Sequence, residues 1–212
     1  MTVKNRCQYC SVGGWYALQS GATAGELPKV VETTLQSTSG FLPFTGQVCL
    51  GLGWDFVRGA SVDLDASVIA LGAKGEHIDT VYYAHRSGLH HAIVHEGDNR
   101  SGDALGDDEV IRLDLGKMPP EVARLICVVN SFSGTKLSCA KSAYVRLFCG
   151  DHTLGAQKLT TVIDSVGLIF CFLQRNAEGV WFFQTMLRPV SGRTALQALP
   201  TVRRIFESIP LF

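Results

Sequence analysis

Short apolar segments recur along most of this 212-residue chain, and turn residues separate them. The segments contain many β-branched and aromatic residues, and none is long enough to cross a bilayer. This spacing is typical of an all-β sandwich or barrel, which we predict for residues 30–212. The predicted strands are residues 47–52, 62–71, 80–84, 92–95, 110–115, 125–132, 143–149, 168–174 and 180–187.

Proline and glycine mark the places where the strand pattern stops. A pair of prolines favours a short helix over residues 119–124, because proline is well suited to the first turn of a helix. Residues 194–206 predict one or two helical turns, broken at Pro200. Residues 1–29 are rich in glycine, serine and alanine, and we predict an irregular leader outside the domain.

The most unusual segment is residues 97–109, with five carboxylates, three glycines and one cation, Arg100. Carboxylates this dense repel each other, and a divalent cation with oxygen ligands would compensate them. Glycine lets the backbone bend its carbonyl groups inward. The alternative is a solvated acidic turn between two strands. The five acids are Asp98, Asp103, Asp107, Asp108 and Glu109.

A second acidic feature lies inside a predicted strand. Residues 62–68 alternate, so their apolar side chains share one face and Asp63 and Asp65 project from the other. Aspartate is disfavoured in strands, so the pair needs a reason. Exposure at the rim of a sheet is one explanation, and shared metal coordination with residues 97–109 is the other.

Charge and cysteine content limit the classes of function. The 19 basic and 19 acidic residues balance, so nothing favours nucleic acid or a membrane surface as a partner. Seven cysteines without a secretion signal indicate reduced thiols and a cytoplasmic protein. Cys7 and Cys10 form a C-x-x-C, which indicates zinc or redox chemistry only with a second pair or a βαβ context; incidental thiols are the alternative.

The remaining motifs are less specific. His90, His91 and His95 precede the acidic segment, and they are either functional or ordinary surface and buried histidines. No P-loop, nucleophile elbow or dinucleotide fingerprint is present, and the acids do not have EF-hand spacing. Because neither acidic segment contains His or Cys, the donors are hard oxygens, which disfavours zinc and copper. A crowded set of carboxylates suits calcium better than magnesium.

Four motifs follow one another along the chain: Leu-Gly-Leu-Gly-Trp-Asp at 50–55, Asp-Leu-Asp-Ala-Ser at 63–67, Gly-Asp-Asn-Arg-Ser-Gly at 97–102 and Gly-Asp-Asp-Glu at 106–109. Together they resemble the TerD family of tellurium-resistance and stress proteins, over about residues 30–199. The resemblance implies a β-sandwich of two mostly antiparallel sheets with short peripheral helices. It also implies calcium binding and a non-enzymatic role in tolerance of toxic oxyanions and in stress response.

Carried over by position, the resemblance assigns ligands for one or two calcium ions. One departure affects this assignment: Leu105 stands where the family usually has an acid, and Asp103 lies two positions earlier. We therefore expect one good site, and a second only where Asp103 reaches it. The implied ligands are Asp63, Asp65, Asp98, Asn99, Asp107, Asp108 and Glu109, with Asp103 as the additional one.

The predicted function is a calcium-binding interaction module whose metal rigidifies the loops for a protein partner. One alternative is a metal-dependent hydrolase of phosphate esters or cyclic nucleotides, with Arg100, Lys141 and His95 as its candidate acids or cations. The other is a protein that passively binds a cyclic nucleotide or an oxyanion.

Overall fold

The computed structural model describes residues 39–42, 46–55, 62–99, 106–159 and 164–209. Most of these residues are in strands, and the predicted all-β sandwich of antiparallel sheets is confirmed. The strands are β1 (Ser39–Leu42), β2 (Gln47–Asp55), β3 (Leu64–Leu71), β4 (His77–Val81), β5 (Ser87–Gly88), β6 (Ile93–His95), β7 (Glu109–Asp114), β8 (Arg124–Ser131), β9 (Lys141–Cys149), β10 (His152–Lys158), β11 (Gly167–Arg175) and β12 (Trp181–Val190). The helical elements are α1 (Ala195–Glu207) and two 3-10 turns, Leu115–Lys117 and Leu137–Cys139.

The chain crosses repeatedly between the two sheets. The first sheet has the order β1-β12-β11-β8-β3-β4, and the second has the order β10-β9-β2-β7-β6-β5. Consecutive strands β2 and β3 therefore lie in different sheets, as do β7 and β8. This topology puts Asp65 on the first sheet, with Asp63 just before β3, and Glu109 on the second sheet.

Apolar side chains from both sheets fill the space between them. Strand β7 alternates as predicted, with Ile111 and Leu113 buried in this core. Leu64, Ala66 and Val68 of β3 belong to the same core, which confirms the predicted apolar face of that strand. Burial of apolar area on this scale is the main favourable contribution to the folding free energy.

Helix α1 covers the outer face of the first sheet. Its buried side chains include Ala198, Val202 and Phe206, which pack on β3, β8 and β11. The predicted break at Pro200 is wrong, because the helix continues through that residue. An interior proline costs about 3 kcal/mol, whereas each buried large apolar side chain contributes roughly 1.5–3 kcal/mol.

The predicted helix over residues 119–124 is wrong as well. The helical geometry lies earlier, in the 3-10 turn Leu115–Lys117. The carbonyl groups of Pro119, Pro120 and Val122 accept hydrogen bonds from the Arg175 guanidinium. These carbonyls therefore converge on one side chain, whereas in a helix they would point along its axis.

All nine predicted strands are found, with bounds that shift by a few residues. Strands β1, β5 and β10 were not predicted from the sequence. The predicted leader, residues 1–29 with Cys7 and Cys10, lies outside the described residues. Within the ranges given above, no helix is long and apolar enough to cross a membrane.

Candidate metal centre

The candidate site forms where strand β3 has an open edge. Strand β4 pairs only with the second half of β3, from Val68 to Leu71. The backbone N–H of Ala66 therefore extends beyond that pairing, and it donates to Oε2 of Glu109 at 2.7 Å. Since Glu109 begins β7 in the opposite sheet, its carboxylate joins the two sheets at this end of the sandwich.

Three of the predicted ligands come together at this point. Asp65, Asp98 and Glu109 each offer a carboxylate oxygen, and the three oxygens lie within 4.8 Å of one another. Asp65 and Glu109 are 4% and 1% exposed, whereas Asp98, which precedes β7, is exposed. We call these three residues the carboxylate cluster. Two of its members are buried, and the third lies at the protein surface.

The protein surroundings of Glu109 disfavour its charged form. Burial raises the pKa of its carboxyl group; contacts with His95 and the Ala66 N–H oppose that rise, and the charge of Asp98 adds to it. One oxygen, Oε1, has no hydrogen-bond partner among the described residues. A buried carboxylate with one open oxygen beside two further carboxylates is an arrangement that a bound cation would relieve.

His95 is one of the three histidines singled out in the sequence, but its contact with the acidic residues was not predicted. It ends β6 and is paired in register with Ile111 of β7, so its ring lies against the cluster. Nε2 of this buried histidine is 3.6 Å from Oε2 of Glu109. The acidic segments contain no histidine, but β6 brings one to them from two residues before Gly97. The sequence predicted strands over residues 92–95 and 110–115 but not their pairing, which is what brings His95 to Glu109.

His90 and His91 are not brought to the site. Both lie with Leu89 in a left-handed turn, with φ values of 50–64° for the three residues. Nδ1 of His91 lies 2.6 Å from the Ser87 hydroxyl.

Asp108 and Asn99 are bonded to each other beside the cluster. The Asn99 amide donates to Oδ1 of Asp108 at 2.9 Å, and the Trp54 backbone N–H donates to Oδ2 at 2.8 Å. The Asp108 side chain therefore accepts a backbone hydrogen bond near the end of β2. Asp108 and Asp63, both predicted as ligands, fall outside the group of three carboxylates.

Asp107 points away from the cluster, to the outer face of the second sheet. Its carboxylate accepts bonds from Arg146, from Nε at 3.0 and 3.1 Å and from Nη2 at 2.7 Å. The Tyr144 hydroxyl donates to Oδ1 at 3.0 Å. Burial and the neighbouring Asp107 raise the pKa of Tyr144, so this phenol stays a protonated donor.

Several predicted residues fall on undescribed segments. Asp103 and Leu105, on which a second ion depends, lie outside the described residues, as does Arg100. The side chain of Lys141 is likewise outside the description.

Comparison with known proteins identifies the family. The TerD domain matches residues 27–199. The chain belongs to the TerD family. It is 35% identical over 162 residues to tellurium resistance protein TerZ of Serratia marcescens, covering 70% of this chain and 82% of TerZ. Tellurium resistance protein TerD of the same organism is 29% identical over 171 residues, with coverage of 75% and 88%.

Further similarities extend to stress proteins and to a solved structure. Stress response protein SCP2 of Bacillus subtilis is 34% identical over 101 residues, covering 41% of this chain and 51% of SCP2. The crystal structure of a TerD homologue from Streptomyces coelicolor has the same fold, with a TM-score of 0.68 at 21% identity, covering 74% of this chain and 97% of that one. The family resemblance predicted from four acidic and glycine-rich motifs is thus confirmed.

Proposed function

We propose that this TerD-family protein is a non-enzymatic, calcium-binding module that acts in tellurium resistance or general stress response. The names of the relatives TerZ, TerD and SCP2 support that biological setting. In this proposal the ion rigidifies one end of the sandwich for a protein partner. A cytoplasmic location and the existence of such a protein partner stay predictions.

The observation that carries the proposal is the buried carboxylate of Glu109. Removing an ionised carboxylate from water costs several kcal/mol unless other groups compensate it. The Ala66 N–H meets one of its oxygens, but Oε1 has no donor among the described residues. Asp65 and Asp98 bring further negative charge to within 4.8 Å, so a cation is the natural counterpart.

The chemistry of the donors supports calcium. Three carboxylates supply hard oxygens, and calcium completes an irregular shell of about 6–8 oxygens with backbone carbonyls or water. Magnesium demands a near-octahedral shell and dehydrates reluctantly, which suits this set less well. With Oε2 of Glu109 held by Ala66 and next to His95, Oε1 is the oxygen left to bind the ion.

The topology indicates what a bound ion would do. Asp65 belongs to β3 of the first sheet, Glu109 to β7 of the second, and Asp98 to the segment between β6 and β7. An ion bound to all three would tie that segment to both sheets. The loops at this end would then become more rigid, which would reduce the entropy that a partner has to remove on binding.

Thermal unfolding with and without calcium tests the proposal. At a hundredfold excess over the dissociation constant, calcium is expected to add about 2.7 kcal/mol to the free energy of unfolding. A chelator should remove this gain, and magnesium should produce little of it. Asp98→Asn should lose the gain, whereas Asp151→Asn, which changes an exposed acid in the β9–β10 turn, should keep it. An unchanged melting temperature in the wild-type protein would reject calcium binding.

No observation on the described residues favours the hydrolase or the cyclic-nucleotide alternative. Of the three residues predicted for hydrolysis, His95 is the one whose side chain the structure describes. It is 1% exposed, so a substrate in solution does not reach it. Assay of the full chain against a phosphodiester panel with calcium present tests this point, and turnover that disappears in Glu109→Gln would favour the enzyme.

A further inference from the structure

We infer that Asp107 is a positioning residue for the metal centre and that Arg146 holds it in place on the outer face of the second sheet. We call the contact between Asp107, Arg146 and Tyr144 the Asp107 clamp. The inference rests on the proposed calcium function, and it assigns to Asp107 a role other than that of ligand.

The geometry of the clamp is that of a strong, specific ion pair. Arg146 reaches both oxygens of Asp107 through Nε and Nη2, and Tyr144 donates to Oδ1 as well. The Asp107 side chain is only 6% exposed, so solvent screens this pair less than an exposed one. Guanidinium–carboxylate pairs of this kind fix orientation in addition to supplying energy.

Two glycines of β2 make room for the clamp. Gly51 and Gly53 lie on the outer face, because Leu50 and Leu52 face the core. A Cβ at Gly51 would lie 2.4 Å from Oδ2 of Asp107, and a Cβ at Gly53 would lie 2.6 Å from the Tyr144 ring. The Gly-Leu-Gly sequence is therefore the surface on which the carboxylate and the phenol rest.

The clamp connects to the carboxylate cluster through two peptide units. The register of β2 and β7 ends at the pair Leu52 and Glu109. Beyond that pair, the Asp108 N–H donates to the Leu52 carbonyl at 2.8 Å, and a bend at Asp108 separates Asp107 from Glu109. Asp107 therefore faces outward and Glu109 inward, and a shift of Asp107 would move the start of β7.

The two roles that Asp107 could have predict opposite effects of removing Arg146. If Asp107 were a ligand, Arg146 would compete with the ion, and its removal would leave calcium affinity unchanged or raise it. If Asp107 positions Asp108 and Glu109, removal of Arg146 releases the turn and lowers the affinity.

Calorimetric titration of the full chain with calcium separates these cases. Arg146→Gln, Asp107→Asn and Gly51→Ala should each weaken calcium binding by about 10- to 100-fold, the range seen when groups that orient metal ligands are changed. The double variant of Arg146 and Asp107 should bind no more weakly than either single variant. Arg112→Gln is the matched control, because Arg112 is on the same outer face and pairs with Glu96. It should keep the wild-type affinity.

Two further measurements keep folding defects apart from positioning. Arg146→Lys retains the charge but not the two-pronged geometry, so its affinity should fall between those of the wild type and Arg146→Gln. Gly51→Ala should displace the Asp107 carboxylate without changing any charge. It therefore tests the clamp even if the Arg146 variants do not fold. Melting temperatures without calcium show which variants are folded.

The outcomes are distinguishable. Absence of calcium binding by the wild-type protein removes the proposed function, and this inference with it. If the wild-type protein binds calcium while Arg146→Gln and Gly51→Ala bind equally well or more tightly, the function stands and the clamp has no positioning role. A positioning role is equally refuted if these variants melt earlier but keep the wild-type dissociation constant.

Discussion

Replacing Glu109 by glutamine removes one charge from the carboxylate cluster and nearly preserves the shape of the side chain. Glutamine keeps an oxygen for the Ala66 N–H, which donates to Oε2 of Glu109 at 2.7 Å. Without calcium at neutral pH, we expect the variant to be at least as stable as the wild-type protein, because it does not bury an ionised group. With calcium, it should lose most of the stabilisation that the ion provides.

The sign of the effect without calcium follows from the direction of the pKa shift. Burial raises the pKa of Glu109 above its ordinary value. The stability linked to this group is therefore fully present below its unfolded pKa, and it is lost as the pH rises through the folded pKa. The advantage of Glu109→Gln over the wild-type protein should accordingly shrink as the pH falls through that window.

The size of the calcium effect sets what an assay must resolve. A gain of about 2.7 kcal/mol at a hundredfold excess over the dissociation constant corresponds to roughly 5–11 °C in melting temperature for a chain of this size. Scanning calorimetry measures such a shift readily. Glu96→Gln is the matched control, because Glu96 is an exposed glutamate that pairs with Arg112. Retention of the full calcium shift by Glu109→Gln would refute Glu109 as a ligand, and strong destabilisation without calcium would refute the charge argument.

Three further predictions concern helix α1. Phe206 is fully buried, and its ring lies 5.1 Å from that of Phe172. Phe206→Ala should therefore lower the free energy of unfolding, measured in urea, by about 3–5 kcal/mol. A loss below about 1 kcal/mol would show that α1 contributes little to stability. Thr194→Ala should cost about 1 kcal/mol, because its hydroxyl accepts the Gln197 N–H at the start of the helix, and Thr194→Ser should restore that stability. The buried Arg124 guanidinium donates to the Gln174 side chain and to the Phe206 carbonyl. Arg124→Met should lower the free energy of unfolding by about 1–3 kcal/mol for each buried acceptor that loses its donor. An unchanged free energy of unfolding would contradict this.

The fold was largely predictable because its signal is local. Strand β7 shows this best, since Ile111 and Leu113 alternate with partly exposed neighbours in the sequence and in the structure. The missed strands lack that signal: β5 has two residues, and β10 has a polar sequence with an irregular register between Thr153 and Gly155. Helical turns over residues 194–206 were predicted, but their continuation through Pro200 was not, because the stability of the helix comes from tertiary packing that local propensity does not contain.

The candidate site was predictable in part. The acidic composition drew attention to residues 63–65 and 97–109, and the fold brings Asp65, Asp98 and Glu109 of these segments together. The directions of neighbouring acids were not predictable. Regular alternation would put Asp107 and Glu109 on the same face of a strand, but the bend at Asp108 sends them to opposite faces. That bend depends on a hydrogen bond to Leu52 in another strand, which no local pattern reveals.

The three consecutive acids at 107–109 also show that a dense run of acids in a sequence does not mean that every acid needs a metal ion. Asp107 is compensated by the Arg146 guanidinium, and Asp108 by the Trp54 N–H and the Asn99 amide. Glu109 alone of the three has an oxygen, Oε1, without a donor among the described residues. The proposed ion would therefore bind on the inner side of the bend, where the oxygens of Glu109, Asp65 and Asp98 lie close together. Three carboxylates at one point leave a single negative charge once one dication is bound, whereas a second dication would reverse the sign. The described part of the site thus favours one ion.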